Sequence, residues 1–188
     1  MRAAALLRED RAAAGAALAA MRPATGGRPI AAEEWEALVA PPFSPHAYIE
    51  TDRGVVEIEL AILDAPLTVA NFMALARKGF FDGTAIHRVV PDFVVQGGDP
   101  RGDGEGGPGY TIRDEINMRP YLRGTVGMAL YWDDTGGSQF FITHSPQPHL
   151  DGRYTVFGTV VAGMDVVDRL APWDVIRRVR IRDGVTEP

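Results

Sequence analysis

Arg88 and Gln96 interrupt two valine-rich runs in the stretch IHRVVPDFVVQGGDP, residues 86–100. A guanidinium keeps its charge in any protein environment and carries five N–H donors, and a primary amide both donates and accepts. Pro91-Asp92 between the runs reads as a turn, since Pro presets φ at the first corner and Asp suits the second. A two-residue loop would set Arg88 opposite Val95 and leave Gln96 on the other face. One extra residue, a bulge near Phe93-Val94, would bring Gln96 opposite Arg88 and crowd Phe93 and Val94 towards them. The first arrangement is a plain hairpin with polar residues in water, and pattern alone favours it. The second holds a permanent cation, an amide and two apolar side chains together on a strand surface.

Other residue types are less suggestive. His144 and His149 lie five apart and His87 sits in the hairpin, but Pro146 and Pro148 rule out a helical presentation. With no cysteine and no carboxylate pair at ligand spacing, no metal site is expected. Ser138 lacks the GxSxG elbow of a hydrolase nucleophile. Gly102, Gly104 and Gly107 spell a loose GxGxxG, yet Pro108-Gly109-Tyr110 opens no helix, so a nucleotide site is rejected. Asp103 and Glu105 lack calcium-loop spacing.

The segment His87-Arg88-Val89-Val90-Pro91-Asp92-Phe93-Val94-Val95-Gln96-Gly97-Gly98-Asp99 resembles the signature of the cyclophilin-type peptidyl-prolyl isomerases. Gly136-Gly137-Ser138-Gln139-Phe140-Phe141-Ile142-Thr143 is similar to the second long signature of that family. Leu150-Asp151-Gly152 with Val156-Phe157-Gly158 follows at the family spacing. The resemblance runs from about Ala47 to Ile181. It implies a closed eight-stranded antiparallel β-barrel capped by two helices, and catalysis of rotation about Xaa-Pro peptide bonds without any cofactor. Proline-containing segments of client proteins are the implied partners, and assistance to protein folding is the implied role. A non-catalytic proline-peptide-binding module is the alternative.

Such a reaction needs a place where the twisted amide is more stable than the planar one. Uncatalysed exchange takes tens to hundreds of seconds, so millisecond turnover asks for roughly 5.5–7 kcal/mol. A twisted amide frees the lone pair of the proline nitrogen, and a guanidinium above the ring can donate to it. By resemblance Arg88 is the catalytic group. Phe93, Val94, Phe141 and Leu150 would enclose the proline ring, with Phe140 turned to the core because strand neighbours face opposite ways. Gln96 and Gln139 would bond the substrate backbone, and Ala129 with the main chain of Leu130 would form its binding edge.

The chain departs from the family pattern at several points. Val94 replaces a common methionine, and Leu130-Tyr131 replace small polar residues. His149 stands at the position of a common tryptophan and Tyr154 at that of a common histidine, and both remain in the expected binding set. Cyclosporin, which family members commonly bind, is expected to bind weakly because His149 buries less apolar surface than an indole.

Composition agrees with a single ordinary domain: 188 residues, 46% apolar and 23% charged. A net charge of −6 argues against a nucleic-acid partner, and no apolar run approaches the ~18 residues that cross a bilayer. Arg8, Glu9, Asp10 and Arg11 interrupt the apolar start before an h-region forms, so an unprocessed, cytoplasmic chain is expected. Residues 1–43 are alanine-rich and read as a helical extension, with helices over 3–20 and 31–39. Pro41-Pro42 marks the boundary with an isomerase domain over residues 44–188. Within that domain, strands are expected at 47–51, 55–62, 125–130, 139–143, 155–161 and 175–181, besides the hairpin. Pro66 to Lys78 and Gly163 to Leu170 read as helices.

Overall fold

The computed structural model describes residues 44–183. The helical extension expected over residues 1–43 lies outside the described residues. Eight antiparallel strands form one sheet in the order β3-β4-β6-β5-β7-β2-β1-β8. They are β1 His46–Thr51, β2 Gly54–Leu60, β3 Arg88–Val90, β4 Val94–Gly97, β5 Thr125–Met128, β6 Phe140–Thr143, β7 Val156–Ala162 and β8 Ile176–Arg182. The sheet curls into a half-barrel rather than the closed barrel expected, since no ladder joins β3 to β8. Irregular chain meets there instead: Gly83 N–H donates to Ile176 (2.8 Å), Ile176 N–H to Thr84 (2.9 Å) and Ile86 N–H to Asp174 (2.8 Å). β3 is only three residues long and starts beyond these contacts, which is why a continuous ladder does not run round the sheet.

Period-2 alternation places the core. Ala47 and Ile49 on β1 and Val56, Ile58 and Leu60 on β2 are buried, with polar or exposed residues between them. On β8 the alternation slips at Arg177-Arg178, because the register to β1 shifts between Glu50 and Thr51. That bulge keeps Ile176 and Val179 both inward. The central strands β5 and β6 are buried along their whole length, so both faces of the sheet are covered there.

Among the described residues two α-helices pack on the sheet: α1 Pro66–Arg77 against β8, and α2 Met164–Arg169 against β2. Phe72 of α1 meets Phe81, Phe140 and Phe157 with ring centroids 5.1, 5.6 and 5.4 Å away. No side chain of its own caps α1. Glu115, buried in a distant loop, accepts the N–H groups of Leu67 (3.0 Å) and Thr68 (2.7 Å) instead, satisfying two of the helix's unpaired donors. Pro66 at the first turn has no N–H to satisfy.

Candidate active site

The β3–β4 hairpin takes the register in which Arg88 opposes Gln96, Val89 opposes Val95 and Val90 opposes Val94. Its loop is therefore three residues, Pro91-Asp92-Phe93, rather than two. Phe93 N–H donates to Val90 (3.1 Å) and Asp92 has φ of 59°, a turn with Pro at its first corner and a left-handed residue at its second. Asp tolerates that conformation better than most residues. Residues from beyond β6 hold the turn from outside: Ser145 Oγ (2.6 Å) and Gln147 Nε2 (2.8 Å) donate to the Asp92 carbonyl, and His144 N–H donates to Phe93 (2.8 Å).

This register puts Arg88 and Gln96 on one face. Arg88 Nη1 donates to Gln96 Oε1 at 3.3 Å, and the guanidinium carbon lies 5.6 Å from the centre of the Phe93 ring. Arg88 is exposed and makes no ion pair among the described residues. β4 also pairs with β6, where Gln96 lies opposite Phe141. Alternation along β6 then sends Phe140 into the main core and Phe141 into a second apolar cluster with Val94, Tyr121, Leu150 and Val156. Opposite Phe141 on β5 stands Gly127, whose missing side chain leaves room for the ring.

The second cluster floors a cavity of about 220 Å³ lined by Arg88, Phe93, Val94, Gln96, Ala129, Leu130, Phe141, Leu150 and Tyr154. Tyr154 meets Phe141 edge-on at 5.7 Å, and Tyr121 stacks beneath Phe141 at 5.6 Å. Leu150 closes one side from a short 3₁₀ turn, Pro148–Leu150. A neighbouring cavity of about 320 Å³ shares Gln96, Ala129 and Leu130 and is walled by the glycine-rich loop, Tyr131 and Trp132. The floor is apolar, the walls of the two cavities carry one cation and amides, and among the described residues no Ser, Thr, Cys, His or carboxylate lines the smaller one. Such a site can hold a small ring and hydrogen-bond an amide, which is non-covalent chemistry.

Of the residues expected from sequence, nine line the smaller cavity together. Gln139 lies in the neighbouring one, joined to the first by Gln96 Nε2 donating to Gln139 Oε1 at 3.0 Å. His149 does not line the cavity; it is exposed and stacks on Phe93 with centroids 5.6 Å apart. Sequence reading missed two contributors. Tyr121 comes from an irregular segment with no periodicity to place it. The glycine-rich loop has neither nucleotide nor calcium-loop spacing, yet its Gly104 and Gly106 carbonyls accept from Gln139 Nε2 at 2.7 and 2.9 Å. The signal available was an Asp opening a run of glycines, a pattern suited to gathering backbone N–H groups round a carboxylate.

Comparison with known proteins gives a consistent result. Residues 46–186 match the family described as cyclophilin type peptidyl-prolyl cis-trans isomerase/CLD. Peptidyl-prolyl cis-trans isomerase B of Bacillus subtilis is 49% identical over 136 residues, covering 71% of this chain and 95% of the relative. A peptidyl-prolyl cis-trans isomerase of Synechococcus elongatus is 50% identical over 137 residues, covering 72% of this chain and 94% of its own length. The crystal structure of a Cryptosporidium parvum cyclophilin type isomerase, determined in the presence of the dipeptide Ala-Pro, superposes with a TM-score of 0.69. It is 32% identical and the match covers 74% of this chain and 99% of that one.

Proposed function

Because the chain belongs to the cyclophilin-type peptidyl-prolyl cis-trans isomerases and catalyses rotation about Xaa-Pro bonds, we propose that Arg88 is its catalytic group and the 220 Å³ cavity its proline pocket. The observation that carries this reading is a guanidinium that makes no ion pair among the described residues and lines an apolar cavity floored by Phe141. With the ring seated against Phe93, Val94, Phe141 and Leu150, the proline nitrogen would face the guanidinium. Twisting the amide returns a lone pair to that nitrogen, and an N–H of Arg88 donates to it. The bond forms only in the twisted state, so it lowers the barrier rather than deepening ground-state binding.

Gln96 anchors the guanidinium and, with Gln139, offers amide groups to the substrate backbone, while the Ala129 and Leu130 main chain forms the edge along which the client segment lies. His149, stacked on Phe93, shapes the rim. The substrates are proline-containing segments of client proteins, and cyclosporin binds weakly. NMR exchange on a short Xaa-Pro peptide tests the assignment. Wild type should accelerate exchange, and Arg88→Ala should lower kcat/KM by about tenfold to a thousandfold, the cost of one transition-state hydrogen bond. An Arg88→Ala protein as active as wild type would overturn the assignment.

A further inference from the structure

Asp99 stands two residues past the end of β4, after Gly98, and is completely buried. Its Oδ1 accepts the N–H of Arg101 (2.8 Å) and its Oδ2 that of Gly104 (2.6 Å). Burial pushes this carboxyl up, but the N–H groups of Arg101, Gly104, Gly106 and Gly102 outweigh it and hold it below the usual carboxylate value. The loop closes on the anion so tightly that a Cβ on Gly106 would collide with Asp99 Oδ1.

The consequence lies on the other side of the loop. With its N–H groups turned in to the carboxylate, the loop presents the Gly104 and Gly106 carbonyls to Gln139. Two carbonyls can be satisfied only by the NH₂ end of an amide. Gln139 must therefore turn its Oε1 to Gln96, which answers with Nε2 and leaves its own Oε1 for Arg88. Each amide has two ends of nearly equal size, so shape alone does not choose between them. The reverse choice would set an NH₂ against the guanidinium, donor against donor.

We propose that Asp99 is a positioning residue for the isomerase reaction: by gathering the loop amides it fixes the orientation of Gln139, then Gln96, and so holds Arg88 over the proline pocket. The inference rests on the assignment of Arg88 as the catalytic group. Asp99→Asn keeps the shape but turns an NH₂ onto the loop N–H groups. It should lower kcat about tenfold while KM changes by less than about threefold, since a displaced guanidinium costs transition-state bonding rather than pocket binding. Gly106→Ala, which strikes the same carboxylate from the loop side, should do the same, so the comparison survives if Asp99→Asn does not fold.

Gln139→Leu removes the middle of the relay, and in that background either substitution should change kcat by less than about twofold, as coupled residues do. A merely structural Asp99 would lose the same factor in both backgrounds. Arg88→Ala, run alongside, separates the two readings. If Arg88→Ala is as active as wild type, the site assignment itself fails. If Arg88→Ala is impaired while Asp99→Asn and Gly106→Ala keep wild-type kcat, or lose equally with and without Gln139, the positioning role is overturned.

Discussion

The guanidinium of Arg88 lies over the ring of Phe93, 5.6 Å from its centre, while Nη1 reaches Gln96 on the facing strand. A planar, delocalised cation can make both contacts at once, whereas an ammonium is a compact point charge on a flexible stem. Arg88→Lys should therefore behave almost like Arg88→Ala, with kcat/KM reduced by about tenfold or more. Exchange rates on an Xaa-Pro peptide decide it: a lysine variant within a factor of two of wild type would mean that charge alone suffices.

Gly127 lies directly behind the Phe141 ring. A Cβ there would stand 2.5 Å from Phe141 Cζ and 2.9 Å from Cε2, and would also meet the Tyr121 hydroxyl. Gly127→Ala should displace Phe141 from the cavity floor. Overpacking of this kind costs about 1–3 kcal/mol, and turnover should fall although Arg88 is untouched. Urea unfolding together with a kinetic assay checks both halves; unchanged activity would show that the ring yields freely.

Glu115 links pH to the anchoring of α1. Burial pushes its carboxyl from 4.5 up to about 7, against the two N–H donors of Leu67 and Thr68. Between those values the unfolded chain has released the proton and the folded chain keeps it. Stability therefore falls as pH rises through this window, by roughly 3 kcal/mol in all, and stays reduced above it. Glu115→Gln cannot ionise and should lack this fall. Denaturant curves at pH 5 and pH 8 on both proteins test it, and parallel pH dependence would show that Glu115 ionises at its ordinary value.

A chain beginning at Ser44 should fold cooperatively and retain most of its activity. β1 starts at His46, the family match starts at residue 46, and the described core draws on residues from Ala47 onward. Circular dichroism melting and peptide exchange on the shortened chain are the measurements. Insolubility or a broad, non-cooperative melt would mean that residues 1–43 complete the core.

His149 is exposed and stacked on Phe93, so a larger ring at that place would extend the rim of the groove. Indole buries more than imidazole; ~50 Å² at ~25 cal/mol per Å² is about 1.3 kcal/mol, close to tenfold in affinity. His149→Trp should bind cyclosporin about tenfold more tightly than wild type, with isomerase activity preserved. A titration that shows no gain would remove His149 from the binding rim.

Much of this protein was determined locally. Alternation put Ile49, Val56 and Ile58 on the inner face of their strands, and Pro66 with the following apolar spacing opened α1. The same period of two separated Phe140, in the core, from Phe141, in the pocket. The ordered blocks around Arg88, Phe141 and Leu150 were enough to place the family and to name the nine residues that meet round one cavity. The register of the hairpin was a different matter. Two-residue and three-residue loops at Pro91 were both compatible with the sequence, and only the ladder of β4 with β6 and the bonds from Ser145 and Gln147 to Asp92 select the one that faces Arg88 with Gln96. The roles of Asp99, Glu115 and Tyr121 were equally invisible, because each acts on residues far along the chain: Glu115 on α1, Tyr121 on Phe141, and Asp99 through a loop onto Gln139. Periodicity reports which way a side chain points from its own strand. Which partner it finds there depends on the curl of the sheet and the loops laid over it, and only the tertiary structure decides that.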